Sequence, residues 1–199
     1  MKKFVFASSG APVGECEPPI HEELAPHPVS PYGASKLAGE AYCSAYYRTF
    51  NLDTVALRFG NVYGPLSSNK NSLVAKFIKQ SIQGEICEIY GDGTQTRDFI
   101  FIDDLVKAIL KATTLDIGGE IFQIATNQEH TINEVSEILK KQLKKNHDID
   151  MKVSYSEPRL GDVKRNYSDT SKAMKQLGWK AATDLNEGIK KTVDWFVNT

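Results

Sequence analysis

The sequence has no excess of charge of either sign, no long apolar run and few cysteines. Lysine and arginine total 24 against 25 acidic residues, for a net charge of -1. That balance offers no electrostatic footing for nucleic acid or an anionic membrane surface, so neither is expected as a partner. No apolar run approaches the roughly 20 residues that span a bilayer. The short run Phe4-Val5-Phe6-Ala7 behind Lys2-Lys3 is too brief for the core of a signal peptide. Cys16, Cys43 and Cys87 are odd in number, scattered and without Cys-x-x-Cys spacing. Reduced thiols in a cytoplasmic protein are therefore expected, and a metal site is not. Internal repeats and low-complexity tracts are also missing.

What is present suits a folded α/β protein. At 199 residues and 41% hydrophobic, the chain can bury a real core, as one large domain or two small ones. Residues 3–7 form a β-rich run that closes on the polar turn Ser8-Ser9-Gly10. Five prolines between residues 11 and 29 predict a loop. Ser30 suits a helix N-cap and Pro31 the first helical position, with the helix running to about residue 49. A second apolar run, residues 54–59, closes on Gly60-Asn61. Strand, helix and strand in that order predict a βαβ unit with parallel strands. Downstream, helices are predicted over residues 73–83, 103–112, 131–144, 171–177 and 185–197. Strands are predicted over residues 86–90, 99–102, 121–124 and 151–155. The Lys140-Lys141 and Lys144-Lys145 pairs suit a solvated helix face.

Tyr32 and Lys36 lie one helical turn apart and point the same way. An ammonium beside a phenol favours the phenolate, which is what a general acid/base for a sugar hydroxyl needs. Ligands of open parallel sheets bind beyond the carboxyl ends of the strands. There Ser8 and Ser9 follow the first strand, Asn61 follows the second, and Tyr32 with Lys36 opens the helix between. Plain structural readings exist for each: the serines satisfy turn backbone, and Asn61 supplies a left-handed turn residue.

Four stretches together carry a resemblance. They are Ser8-Ser9-Gly10-Ala11, Tyr32-Gly33-Ala34-Ser35-Lys36, residues 57–65 (Leu57-Arg58-Phe59-Gly60-Asn61 onward) and residues 90–98 (Tyr90-Gly91-Asp92-Gly93 onward). With Arg159-Leu160-Gly161-Asp162-Val163 and Leu177-Gly178-Trp179 they resemble the NAD-dependent epimerase/dehydratase family of extended short-chain dehydrogenases, over essentially the whole chain. The resemblance implies a partial Rossmann-like parallel sheet, its later strands only, with a small α/β substrate-binding domain. Residues 1–64 and 98–125 would form the remaining dinucleotide-binding part, and residues 65–97 and 126–199 the nucleotide-sugar part. It also implies roles. Tyr32 transfers the proton, Lys36 holds the nicotinamide ribose, and Ser9 aligns the reacting hydroxyl. Ser8, Phe59 and Val62 lie on the NAD side. Asn61, Val74, Phe77 and Tyr90 meet the nucleotide sugar. Arg97 and Arg159 clamp its diphosphate, and Asp162 holds the nucleotide ribose. For the arginines the plain reading is a surface ion pair, such as Arg97 with Asp98.

The 4,6-dehydratases of such a family resemble one another in carrying acidic residues after the catalytic serine or threonine. Here Gly10 and Ala11 stand at those positions, and neither transfers a proton. The resemblance therefore implies 4-epimerisation of a nucleotide sugar, closest to UDP-glucose 4-epimerase-like members, with N-acetylated sugars and uronates as further options. The alternatives are a dehydratase, decarboxylase or reductase of the same family, or a non-catalytic remnant that at most binds nucleotide sugar. Two departures stand out. Pro12-Val13-Gly14 replaces the family's Val-Tyr-Gly, removing an aromatic from the pocket wall. No Gly-rich dinucleotide turn of G-x-G-x-x-G type occurs in these residues, so the N-terminal third of the family's fold is not represented in them. Weak NAD binding is expected for the chain alone, as is self-association, including a homodimer, through an exposed edge of the first strand.

Overall fold

The computed structural model describes residues 3–159, 161 and 163–199. Three parallel strands form the main sheet: β1 (Phe4–Ser9), β2 (Thr54–Phe59) and β7 (Glu120–Ile124), in the order β1-β2-β7. Helix α1 (Pro31–Phe50) connects β1 to β2, so the predicted βαβ unit is present. The first strand extends two residues past its predicted end, because Ser8 and Ser9 stay in register with Arg58 and Phe59. β2 is buried from Thr54 to Arg58, as the centre of a parallel sheet must be.

Three short strand pairs surround this sheet. β3 (Asn61–Tyr63) pairs in parallel with β6 (Phe99–Phe101), and β4 (Ile86–Tyr90) in parallel with β9 (Lys152–Ser156). β5 (Thr96–Arg97) runs antiparallel to β8 (His130–Thr131). Helices α2 (Leu73–Ile82), α3 (Ile102–Thr114), α4 (Ile132–His147) and α5 (Leu185–Asn198) match their predicted spans within a few residues. α4 starts with a capping box, Thr131 accepting from the Glu134 N–H while the Glu134 carboxylate accepts from Thr131 N–H. Its lysine pairs are exposed. The predicted helix at 171–177 is instead widened to π geometry over Ala173–Leu177 and closed by Gly178 in the left-handed region.

Two apolar clusters form the interior. One lies among Val55, Leu57, Phe122, Ile124, α3 and the Ala173–Trp179 segment. The other packs α2, α4 and α5 against Cys87, Ile89, Phe99 and Phe101. Ala173, Leu177 and Trp179, which the sequence boundary puts with the sugar-binding part, pack in the sheet's own core. No helix among the described residues is long and apolar enough to cross a membrane. All three cysteines are free thiols; Cys43 and Cys87 are buried, and burial raises the pKa of each of the three.

Candidate active site

The carboxyl ends of β1 and β2 and the start of α1 meet at one rim. Ser30 caps α1 by accepting from the Gly33 N–H at 3.0 Å, with Pro31 in the first turn. Gly33 is needed for its missing side chain: a Cβ there would sit 2.6 Å from the Ala11 carbonyl oxygen. The Ser9-Gly10-Ala11 turn therefore packs directly on the helix start, which brings Ser9 to Tyr32. The Ser9 hydroxyl oxygen accepts from the Ala11 N–H at 3.2 Å. That satisfies turn backbone, as the plain reading holds, and leaves the O–H proton to donate. Tyr32 is 55% exposed, its ring open to a ligand. Lys36 lies one turn on, its Nζ donating to the Ala7 carbonyl at 2.8 Å and sitting 5.5 Å from the Tyr32 ring centroid.

Ser8, Ser9 and Tyr32 open onto a cleft of about 550 Å³ that Phe59, Asn61, Val62, Val74, Tyr90, Arg97 and Arg159 also line. Asn61 is extended in β3 and its backbone N–H donates to the Asp98 carbonyl at 2.7 Å, so it is not a left-handed turn residue. On its wall the Arg159 guanidinium lies 3.7 Å from the Tyr90 ring centroid. Arg97 Nη1 donates to the carbonyls of Thr96 and Val163, which aims a fixed guanidinium along the cleft wall. The neighbouring Asp98 carboxylate is buried and accepts from Thr126, Asn127 and Ser168.

Burial and bonding set two of the expected residues apart from the rest. Phe77 is 1% exposed in the core of the helical lobe and is not among the residues lining the cleft, because α2 turns it inward beside Ile78. Ser8 is buried and donates its hydroxyl to Glu40, so its side chain is already engaged within the protein. Asp162 lies outside the described residues. Val13, at the position of the family's aromatic, is buried and contributes no ring to the cleft.

Lys70, Ser72, Glu88 and Gln95 also line the cleft and were not singled out in the sequence. For Glu88 the signal was available: β-strand alternation puts it on the face opposite the buried Cys87 and Ile89. Lys70 and Ser72 sit in the loop before α2, where no periodicity points to them. Among the described residues, no group of three or more His, Cys, Asp or Glu side chains could hold a metal ion.

Comparison with known proteins gives one family. The model of the NAD dependent epimerase/dehydratase family matches residues 1–125. A putative UDP-glucose 4-epimerase of Methanocaldococcus jannaschii is 41% identical over 98% of this chain and 63% of its own length. The crystal structure of UDP-glucose 4-epimerase from Thermotoga maritima, with UDP-glucose, is 37% identical; it superposes with a TM-score of 0.90 over 99% of this chain and 64% of that one. A UDP-N-acetylglucosamine 4-epimerase from Methanobrevibacter ruminantium, in complex with UDP-N-acetylmuramic acid, also gives 0.90, at 35% identity over 100% of this chain and 64% of that one. Enzymes named dTDP-D-glucose 4,6-dehydratase are among the more distant relatives. The chain spans about 63% of the length of the curated relatives it matches. It belongs to the NAD dependent epimerase/dehydratase family.

Proposed function

We propose that these residues form the proton-transfer and substrate-binding part of an NAD-dependent nucleotide-sugar 4-epimerase, with a UDP-hexose as substrate. One observation supports the reading: a single cleft is lined both by hydroxyl-handling groups, Ser9 and Tyr32, and by two guanidiniums, Arg97 and Arg159. A nucleotide sugar offers a partner to each kind, a sugar hydroxyl and a diphosphate. Arginine suits the diphosphate because its planar fork holds a fixed charge.

In this reading Ser9 donates to the sugar C4 oxygen and aligns it, while Tyr32 takes the hydroxyl proton and later returns it. Lys36 Nζ stays close to the Tyr32 ring. The residues present fit the nicotinamide end of the cofactor: of the three Lys36 N–H groups one meets Ala7, leaving two for ribose hydroxyls. Phe59 and Val62, half-buried at the cleft, give the ring an apolar seat. When bound, NAD accepts hydride from the sugar carbon and gives it back. No group at Gly10 or Ala11 can remove water from a neighbouring carbon, which favours epimerisation over dehydration.

The test is incubation with UDP-glucose and NAD, scored for UDP-galactose and, separately, for a 4-keto-6-deoxy product. Epimer formation that falls by about 10²- to 10⁴-fold in Tyr32→Phe is expected. The keto-deoxy product alone would make the chain a dehydratase. UDP-glucose binding without turnover would favour the second reading, a binding remnant.

A further inference from the structure

Tyr32, Lys36 and Glu40 form one stripe of α1, each a turn from the next. Tyr32 lines the cleft, Lys36 is bonded to the Ala7 carbonyl, and Glu40 is 2% exposed. Arg58 Nε and Nη2 reach the Glu40 carboxylate in a bidentate pair at 2.8 and 2.7 Å. Ser8 donates its hydroxyl to the same carboxylate. Ser8 and Arg58 are register partners on β1 and β2, so one carboxylate ties the helix to two adjacent strands. All three side chains are at most 3% exposed.

This arrangement is poorly explained by stability. A buried ion pair gains little over well-packed apolar groups of equal size. Here it also leaves Arg58 Nη1 buried and without a partner among the described residues, which adds a desolvation cost. Of the 20 residues of α1 only Gly33, Glu40 and Cys43 are buried. Close contacts set its distance from the sheet: Gly39 lies on the Phe6 ring, and the Tyr47 ring lies on Gly118 and Gly119. To these contacts the helix adds directed bonds. They are Lys36 to the Ala7 carbonyl, Glu40 to Ser8 and Arg58, and the Thr54 hydroxyl to the Cys43 carbonyl at 2.7 Å.

We propose that Glu40 and Arg58 are positioning residues: their buried pair fixes the rotation and height of α1 on β1 and β2, and thereby the approach of Tyr32 to Ser9. Neither residue lines the cleft. The kinetic meaning of the proposal rests on the epimerase reading above, whereas its geometric content does not. The test therefore has two readouts.

The first uses the 199-residue chain labelled with ¹³Cζ-tyrosine, the Tyr32 signal being identified by its loss in Tyr32→Phe. In Glu40→Leu/Arg58→Met, which keeps volume and removes both charges, the fold is retained. The Tyr32 signal moves or splits, while that of Tyr155 on β9 stays in place. Arg58→Lys keeps the charge but loses the fork, and shifts Tyr32 less. A Tyr32 signal unchanged in the folded double variant overturns the proposal. If the double variant does not fold, Arg58→Lys decides by the same criterion. The second readout is turnover of UDP-glucose, where kcat falls on the order of tenfold or more with KM within about twofold. Equal loss in kcat and KM-linked binding would point to a damaged cleft instead and count against the proposal. An unmutated chain without turnover would count against the epimerase reading, and the NMR comparison would still decide the geometry.

Discussion

Two flanks of the molecule are held together by different means. In the helical lobe, α2, α4 and α5 bury Phe77, Ile78, Val135, Leu139, Ile189 and Val193 at 0–1% exposure, so close packing holds them. Across the cleft, α1 leaves Tyr42, Tyr46 and Phe50 at 68%, 47% and 69% exposure and is tied to β1 and β2 by a few directed bonds. The difference separates two tasks. Packing specifies stability, and many side chains share that task; directed bonds specify orientation, and single atoms carry that task. The first is expected to be broken by volume changes and the second by isosteric ones.

The largest effect is expected on the packed side. Phe77→Ala removes a buried ring and costs about 3–5 kcal/mol, read as a fall in the urea midpoint. Because Phe77 is core rather than cleft wall, the affinity of the remaining folded chain for UDP-glucose should change little. A large loss of affinity with unchanged stability would return Phe77 to the cleft and break the contrast.

A smaller and pH-dependent effect is expected where the C-terminal segment joins α3. Asp104 is buried, which pushes its carboxyl up. The N–H groups of Thr183 and Ala182 and the Lys107 ammonium outweigh that and hold it below the ordinary value of 3.8. A carboxyl depressed on folding contributes stability above its unfolded pKa and loses it as pH falls through the folded value. Asp104→Asn should therefore cost about 1–3 kcal/mol at pH 7. The deficit shrinks on acidification, and the two unfolding curves converge below the depressed value. Asp98 has the opposite sign: burial raises it despite donors from Thr126, Ser168 and Asn127. It contributes stability in acid that is lost as pH rises through its raised value. Urea midpoints taken from neutral pH down into acid, for both Asp→Asn variants, check the two signs together.

The sequence disclosed most of the elements and several residues of the cleft rim for definite physical reasons. Period-3.6 stripes and caps at Ser30 and Thr131 mark helices whatever surrounds them. The apolar run Thr54–Phe59 marks a central strand. The π widening at Ala173–Leu177 and the two-residue strands Thr96–Arg97 and His130–Thr131 stayed hidden, because their geometry is set by tertiary partners rather than by local pattern. At the site, Ser9, Tyr32, Asn61, Tyr90, Arg97 and Arg159 share one cleft, although residue spacing alone leaves open which of them meet. The burial of Phe77 is not legible in the sequence, because an apolar helix position one turn from Val74 can face either cleft wall or core. The Glu40–Arg58 pair had a readable trace, a lone arginine inside an apolar strand and a glutamate one turn past Lys36. Which carboxylate would meet that arginine depended on the fold.

The smallest effect on stability is expected on the thinly covered flank, where the consequence is association instead. Among the described residues, β1 ends the sheet with an unpaired edge, and beside it Phe4, Phe6, Tyr42, Tyr46 and Leu52 border an apolar groove of about 290 Å³. Exposed apolar groups next to a free strand edge favour pairing with other chains. Sedimentation of the unmutated chain should show mass rising with concentration. Tyr42→Ser/Tyr46→Ser should move the distribution toward monomer while shifting the unfolding free energy by no more than about 0.5 kcal/mol. The variant separates the two modes of holding: residues that drive association here contribute little to the fold, whereas Phe77 contributes to the fold and nothing to association. A chain that stays monomeric from micromolar to millimolar concentration would show that the directed bonds of α1 suffice without a covering partner.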